Sequence, residues 1–230
     1  RAISLMADVI LNPSFPKEQL DIIKDQIISS KTIDNNDPSY LVRKYYNKII
    51  YGDHPYSRPF DGEIEDIKKI TTNDIEKWWK NYISPNDSIL YVAGDITLNE
   101  LESLTKKYFG SWKSIKSEKN IKLPEFPKSS KTKIYILDKD TDQVQIRIGQ
   151  TNINRKDKRY FSASLLSMIF GGYFDSRLNR VIRSEKGLTY GASGGIRALK
   201  HTGNFVCGTF TKCESSAETV KTILDEIKKI

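Results

Sequence analysis

Ala2, Ile3, Met6, Val9 and Ile10 recur at helical spacing, so the chain opens inside an amphipathic helix. The turn Asn12-Pro13-Ser14-Phe15-Pro16 ends it. Lys17 to Ile33 predicts a second helix, with apolar residues at Leu20, Ile23, Ile27 and Ile28, and Asp34-Asn35-Asn36-Asp37-Pro38 breaks it. Ser39 to Ile50 predicts a third helix, with Ser39 as its N-cap. A helix carrying Trp78, Trp79 and Tyr82 starts near Thr71 or Thr72, with acid in its first turn. Ser88 to Asp95 is a short apolar run that predicts a buried strand. A helix from Thr97 to Phe109 follows and stops at Gly110.

After a Lys-, Ser- and Pro-rich stretch the periodicity changes. Thr132 to Leu137 and Gln143 to Gly149 alternate as strands. Asp157 to Phe170 and Ser176 to Glu185 predict helices separated by Gly171-Gly172. Leu188 to Ala198 and Gly203 to Thr211 predict adjacent strands around the turn at Lys200-His201-Thr202-Gly203, and Ser215 to Ile230 a final helix. Strands paired locally beside packed helices predict an α+β fold. The boundaries expected are one domain part at 1–112, a linker at 113–131 and a second part at 132–230. The helical opening without an initiator Met reads as a piece of a longer chain.

Composition narrows the function classes. No apolar run approaches the roughly 20 residues of a membrane span. The formal net charge is +8, carried mostly by Lys, since 10 of 37 basic residues are Arg. Seven lysines lie between Lys113 and Lys133 in a stretch poor in large apolar residues, which reads as a solvated linker or, alternatively, an electrostatic docking surface. No nucleic-acid motif with defined spacing accompanies the charge, so no nucleic acid is expected as a partner. Cys207 and Cys213 flank a strand segment that would hold them roughly 20 Å apart, beyond disulfide reach.

Four segments together resemble the pitrilysin/insulinase peptidases, the inverzincins: Asp8 to Pro16 (DVILNPSFP), Gly52 to Gly62 (GDHPYSRPFDG), Pro85 to Asp95 (PNDSILYVAGD) and Gly171 to Tyr190 (GGYFDSRLNRVIRSEKGLTY). They stand in the family's order. The resemblance implies homologous α+β domains, each a mostly antiparallel sheet on helices, paired around a chamber. The chain would cover the back half of one domain and the front half of the next.

Active members bind zinc through two His of His-x-x-Glu-His and a distant Glu. This chain has only His54 and His201, far apart and without that motif. His54 reads as a hydrogen-bonded structural residue and His201 as a solvated turn residue. The third ligand closes a Glu-x6-Glu pair that the resemblance places at Ile23 and Ser30, neither a carboxylate. The chain is therefore expected to hold no metal, to lack activity alone, and to depend on a zinc-bearing partner subunit or domain.

Arg183 and Tyr190 match the family's Arg-x6-Tyr, which faces the zinc of the other domain. The resemblance implies an assisting catalytic role. The Arg fork can grip a peptide carbonyl or carboxylate, and the Tyr hydroxyl can donate to a developing oxyanion. The competing reading has Arg183 capping a helix end and Tyr190 filling a core. Gly191 to Gly195 carries small side chains that could let a peptide add as an edge strand. The expected function is a zinc-free part of a peptidase that helps form a peptide-binding chamber. The alternatives are a purely structural assembly subunit and a basic binding protein unconnected with proteolysis.

Overall fold

The computed structural model describes residues 1–115, 122–127 and 131–230. The expected linker at 113–131 lies partly on 116–121 and 128–130, outside the described residues. The chain falls into two compact units, Arg1–Ser30 with Asp61–Lys122, and Lys31–Phe60 with Leu123–Ile230.

The first unit is helical. Its helices are α1 (Ala2–Leu11), the first part of α2 (Lys17–Asp34), α4 (Ile64–Lys69), α5 (Thr72–Tyr82) and α6 (Leu98–Phe109). Two reciprocal capping boxes fix the starts of α5 and α6. Thr71 and Asp74, and Thr97 and Glu100, each exchange side-chain and backbone hydrogen bonds. Lys24 donates to the carbonyls of Lys68 and Ile70, at 2.8 and 3.0 Å, and so satisfies acceptors left open where α4 ends. Phe15 has a positive φ of 42°, and its ring packs edge-on against Trp79 at 5.7 Å.

Ser88 to Asp95, expected as a strand, runs as irregular chain here. So does 132–137 in the second unit. A strand exists only when a neighbour takes up its N–H and C=O groups. Among the described residues no strand pairs with either segment. Ile134 and Ile136 stand 84% and 89% exposed.

The second unit contains the sheet. β1 (Gln143–Asn152), β2 (Ala192–Ala198) and β3 (Gly203–Lys212) form an antiparallel sheet of order β1-β3-β2. Val144, Ile146 and Ile148 alternate onto one face. There they join Phe170, Leu178, Ile182, Cys207 and Ile223 in the core. Each fully buried Leu, Ile or Phe side chain contributes about 1.5–3 kcal/mol. Burial also pushes the Cys207 thiol up to about 12, so it sits as an inert neutral packing group, while free Cys213 is exposed. β2 and β3 meet through the hairpin turn that carries His201. α9 (Ser216–Lys228) covers the core, tied by buried Glu226, which accepts from Arg177 Nε at 2.8 Å.

α3 (Pro38–Tyr51) packs near β1, and the Tyr46 hydroxyl donates to the Phe205 carbonyl at 3.2 Å. Its N-cap is Asp37 rather than Ser39, because Pro38 occupies the first helical position and the Asp37 carboxylate accepts from the Ser39 N–H. α7 (Tyr160–Ser167) continues into a π-helical turn, Met168–Gly172. α8 (Arg177–Asn179) likewise continues into a second one, Arg180–Glu185. The first turn ends against β2, where Gly171 bridges Gly194. A β-carbon on Gly171 would lie 2.3 Å from the Gly194 nitrogen, so only glycine permits this approach. Among the described residues no helix is long and apolar enough to cross a membrane.

His54 is 1% exposed. Its Nδ1 accepts from the Tyr56 N–H at 3.2 Å, and its ring lies 4.4 Å from Phe126 and 6.2 Å from His201. It is thus the hydrogen-bonded structural residue anticipated, and His201 is exposed in its turn.

Two predictions follow from this packing. Gly171→Ala should cost about 1–3 kcal/mol in urea unfolding, whereas Gly191→Ala, whose new β-carbon meets nothing within 4 Å, should be far milder. Burial first, and His201 second, lower the His54 pKa below its ordinary 6.5. The unfolded chain therefore takes the proton first as pH falls. The His54 contribution to stability is complete above pH 6.5 and declines as the pH drops toward the folded value. Unfolding free energies measured from pH 8 to pH 5 should show this decline, and His54→Asn should flatten it relative to wild type.

Candidate functional site

The segment from the second π-helical turn into β2 carries both residues singled out by sequence. Arg183 lies in that turn, and Gly187, at φ 63°, reverses the chain after it. Leu188 then returns to the helix end through its N–H to the Ile182 carbonyl at 2.9 Å. Residues 188–191 are pinned to β3 by two hydroxyls. Thr211 Oγ1 donates to the Leu188 carbonyl at 2.7 Å, and Thr209 Oγ1 to the Gly191 carbonyl at 2.9 Å. Tyr190 therefore sits on fixed backbone while its side chain is 83% exposed. It does not fill a core.

Arg183 is half-buried, and its guanidinium carbon lies 4.2 Å from the Phe174 ring centroid. Such a stack is worth about 0.5–1 kcal/mol at an exposed site and holds the fork in one plane. Phe174 and Tyr190 both line a cavity of about 480 Å³. The fold thus brings Tyr190 to the cavity wall, and Arg183 reaches that wall through the ring of Phe174.

Asn179, which sequence reasoning passed over, organises the two segments. It is buried, its Nδ2 donates to the Phe174 carbonyl at 2.6 Å, and its Oδ1 accepts from the Ala192 N–H at 3.0 Å. Its spacing two residues after Arg177 on a short helix carried no signal, because both partners come from other elements. Arg147 on β1 was also missed and lines the same cavity.

The glycine-rich run on β2 does not leave an edge for a peptide in the way its small side chains suggested. Asn179 takes the Ala192 N–H, Gly171 bridges Gly194, and Ser167 Oγ accepts the Ile196 N–H at 2.8 Å. The small residues admit the helix instead: a β-carbon on Gly194 would come within 2.9 Å of the Phe170 ring.

The described residues do not fit a zinc site. Ser30, the position implied for the third ligand, and Ile23, the first of the implied pair, lie on α2, and neither side chain is a carboxylate. Among the described residues no three His, Cys, Asp or Glu come together to hold a metal ion. His54 accepts a backbone N–H at Nδ1, which puts its proton on Nε2 and removes that nitrogen as a ligand.

Comparison with known proteins places the fold. Residues 69–230 match the family described as peptidase M16 inactive domain. The chain is 24% identical over 208 residues to an uncharacterized zinc protease of Mycobacterium leprae, covering 88% of this chain and 46% of that protein. It is 24% identical over 190 residues to a non-peptidase homolog of Helicobacter pylori, covering 82% of this chain and 43% of that protein. A crystal structure of a peptidase M16 inactive domain from Pseudomonas fluorescens superposes with a TM-score of 0.89 at 27% identity, over 99% of this chain and 55% of that one. The chain spans about half the length of these relatives. Because the family match covers residues 69–230, well over half of its length, the chain belongs to the peptidase M16 inactive-domain family.

Proposed function

We propose that this chain is a non-catalytic part of a peptidase-like protein, that it helps form a peptide-binding chamber, and that it presents Arg183 and Tyr190 to a zinc-bearing partner subunit or domain. The observation that carries this reading is Tyr190: its backbone is held by Thr209 and Thr211 on either side, yet its side chain is left open at a cavity. Fixed backbone with a free phenol is what a hydrogen-bond donor for an external oxyanion requires. The match to an inactive-domain family supports the zinc-free role. In this reading 1–112 and 132–230 belong to two successive homologous domains, joined through 113–131.

The roles divide by chemistry. The Tyr190 hydroxyl donates to the oxygen of a substrate carbonyl as negative charge builds on it. The Arg183 fork, flattened on Phe174, holds a neighbouring carbonyl or carboxylate and orients the peptide.

A second reading, a purely structural assembly subunit, is favoured by the likeness to a protein described as a non-peptidase homolog. Reconstitution separates the two. The chain alone should cleave no peptide. Combined with its co-purifying zinc subunit, it should support cleavage, and Arg183→Ala or Tyr190→Phe should each lower kcat by about 10- to 100-fold without changing the melting temperature. Variants that alter melting but not turnover would establish the structural reading, and zinc-dependent cleavage by the chain alone would sink both.

A further inference from the structure

The cavity beside Tyr190 contains a charge that has no ion-pair partner among the described residues. Its wall includes no Asp or Glu and one charged side chain, Arg147. Arg147 projects from β1 on the face opposite the core, half-buried. Its Nε is buried without a hydrogen-bond partner, and among the described residues it makes no ion pair. Burial, with Arg43 adding like charge, lowers its pKa, yet a guanidinium stays charged throughout the range in which proteins work. A partly buried cation without a counterion is destabilising, and one that lines a cleft is a candidate for binding a ligand of opposite charge.

The sheet register shows where that ligand fits. Arg147 pairs with Gly208 on β3, and Gly208 pairs with Ser193 on β2. Directly opposed residues share a face, so a guanidinium and a hydroxyl flank a position without a side chain. A β-carbon at Gly208 would stand 3.5 Å from the guanidinium carbon, which places Arg147 against that floor. Ser193 is exposed, and both residues line the cavity that Tyr190 enters. The guanidinium thus lies over Gly208, and a small planar anion gripped by its fork would face the Ser193 hydroxyl of the next strand.

We propose that this cleft binds a carboxylate of a peptide, from an acidic side chain or a free C-terminus, and that Arg147 holds it. The inference rests on the peptide-chamber reading and names its substrate class: peptides with a carboxylate close to the carbonyl that Tyr190 addresses.

The test titrates the purified protein, with labelled arginine side chains, against three acetylated peptides. These are acetyl-Ala-Ala-Glu-Ala-Ala-amide, its Gln counterpart as the amide, and the Gln peptide with a free C-terminal carboxylate. The Arg147 Nε–H resonance should shift with the Glu peptide, the free acid or both, at about tenfold tighter binding than the neutral amide. Whichever acid binds identifies the source of the carboxylate. Arg147→Gln should abolish the preference, and Arg147→Lys should retain part of it. Equal affinity for all three peptides, binding of none, or a preference that survives Arg147→Gln would overturn the proposal. Should Arg147→Gln not fold, the wild-type resonance and the Lys variant decide the matter. If this fails while Arg183 and Tyr190 variants still impair cleavage in the reconstituted complex, only the carboxylate subsite falls. Cleavage indifferent to those two residues removes the chamber reading itself.

Discussion

The sheet-bearing unit depends on a single backbone-to-backbone approach, Gly171 against Gly194. Helix and sheet ordinarily stand a side chain apart. Here the π-helical turn Met168–Gly172 descends until its last residues bridge β2. That descent drives Phe170 into the core and puts Ser167 within reach of the Ile196 N–H. Gly172 and Phe174 then follow along the rim of the cavity in which Tyr190 stands. Widening by one methyl group would push the turn off the strand and move the rim with it. The wider i→i+5 turns at 168–172 and 180–185 accommodate the register that this close contact demands.

How much could be read from sequence follows from how local each cause is. The capping boxes at Thr71 and Thr97 close within four residues, so both helix starts were legible. The hairpin of β2 and β3 was equally plain, because its turn and alternation are contiguous. Pro38 already marked Asp37 as the cap, a signal outweighed by the neighbouring serine. By contrast, 88–95 and 132–137 have strand composition, and composition cannot tell whether a hydrogen-bonding neighbour is present. The glycine pair at 171–172 interrupts the helical pattern in the sequence, and in the fold it gives a close approach, Gly171 against Gly194.

The site was legible only in part for the same reason. Arg183 and Tyr190 stood out through a motif spanning eight positions of continuous chain. Asn179 and Arg147 did not, because what distinguishes them is assembled from distant segments. Asn179 acquires its partners from a loop and a strand, and Arg147 acquires its isolation from three strands and a glycine. Asn179 and Arg147 are thus understood through what surrounds them, and Tyr190 through the two threonines beneath it.

The two hydrogen bonds of Asn179 also bear on motion. One buried amide clamps the Phe174 carbonyl and the entrance of β2 at the same time. Neither segment can shift by an ångström without stretching the bond to the other. The ring that supports Arg183 and the strand that carries Tyr190 into the sheet therefore form a rigid couple. Displacement of one would register at the other as a concerted movement, so the two side chains move as one lever and not independently.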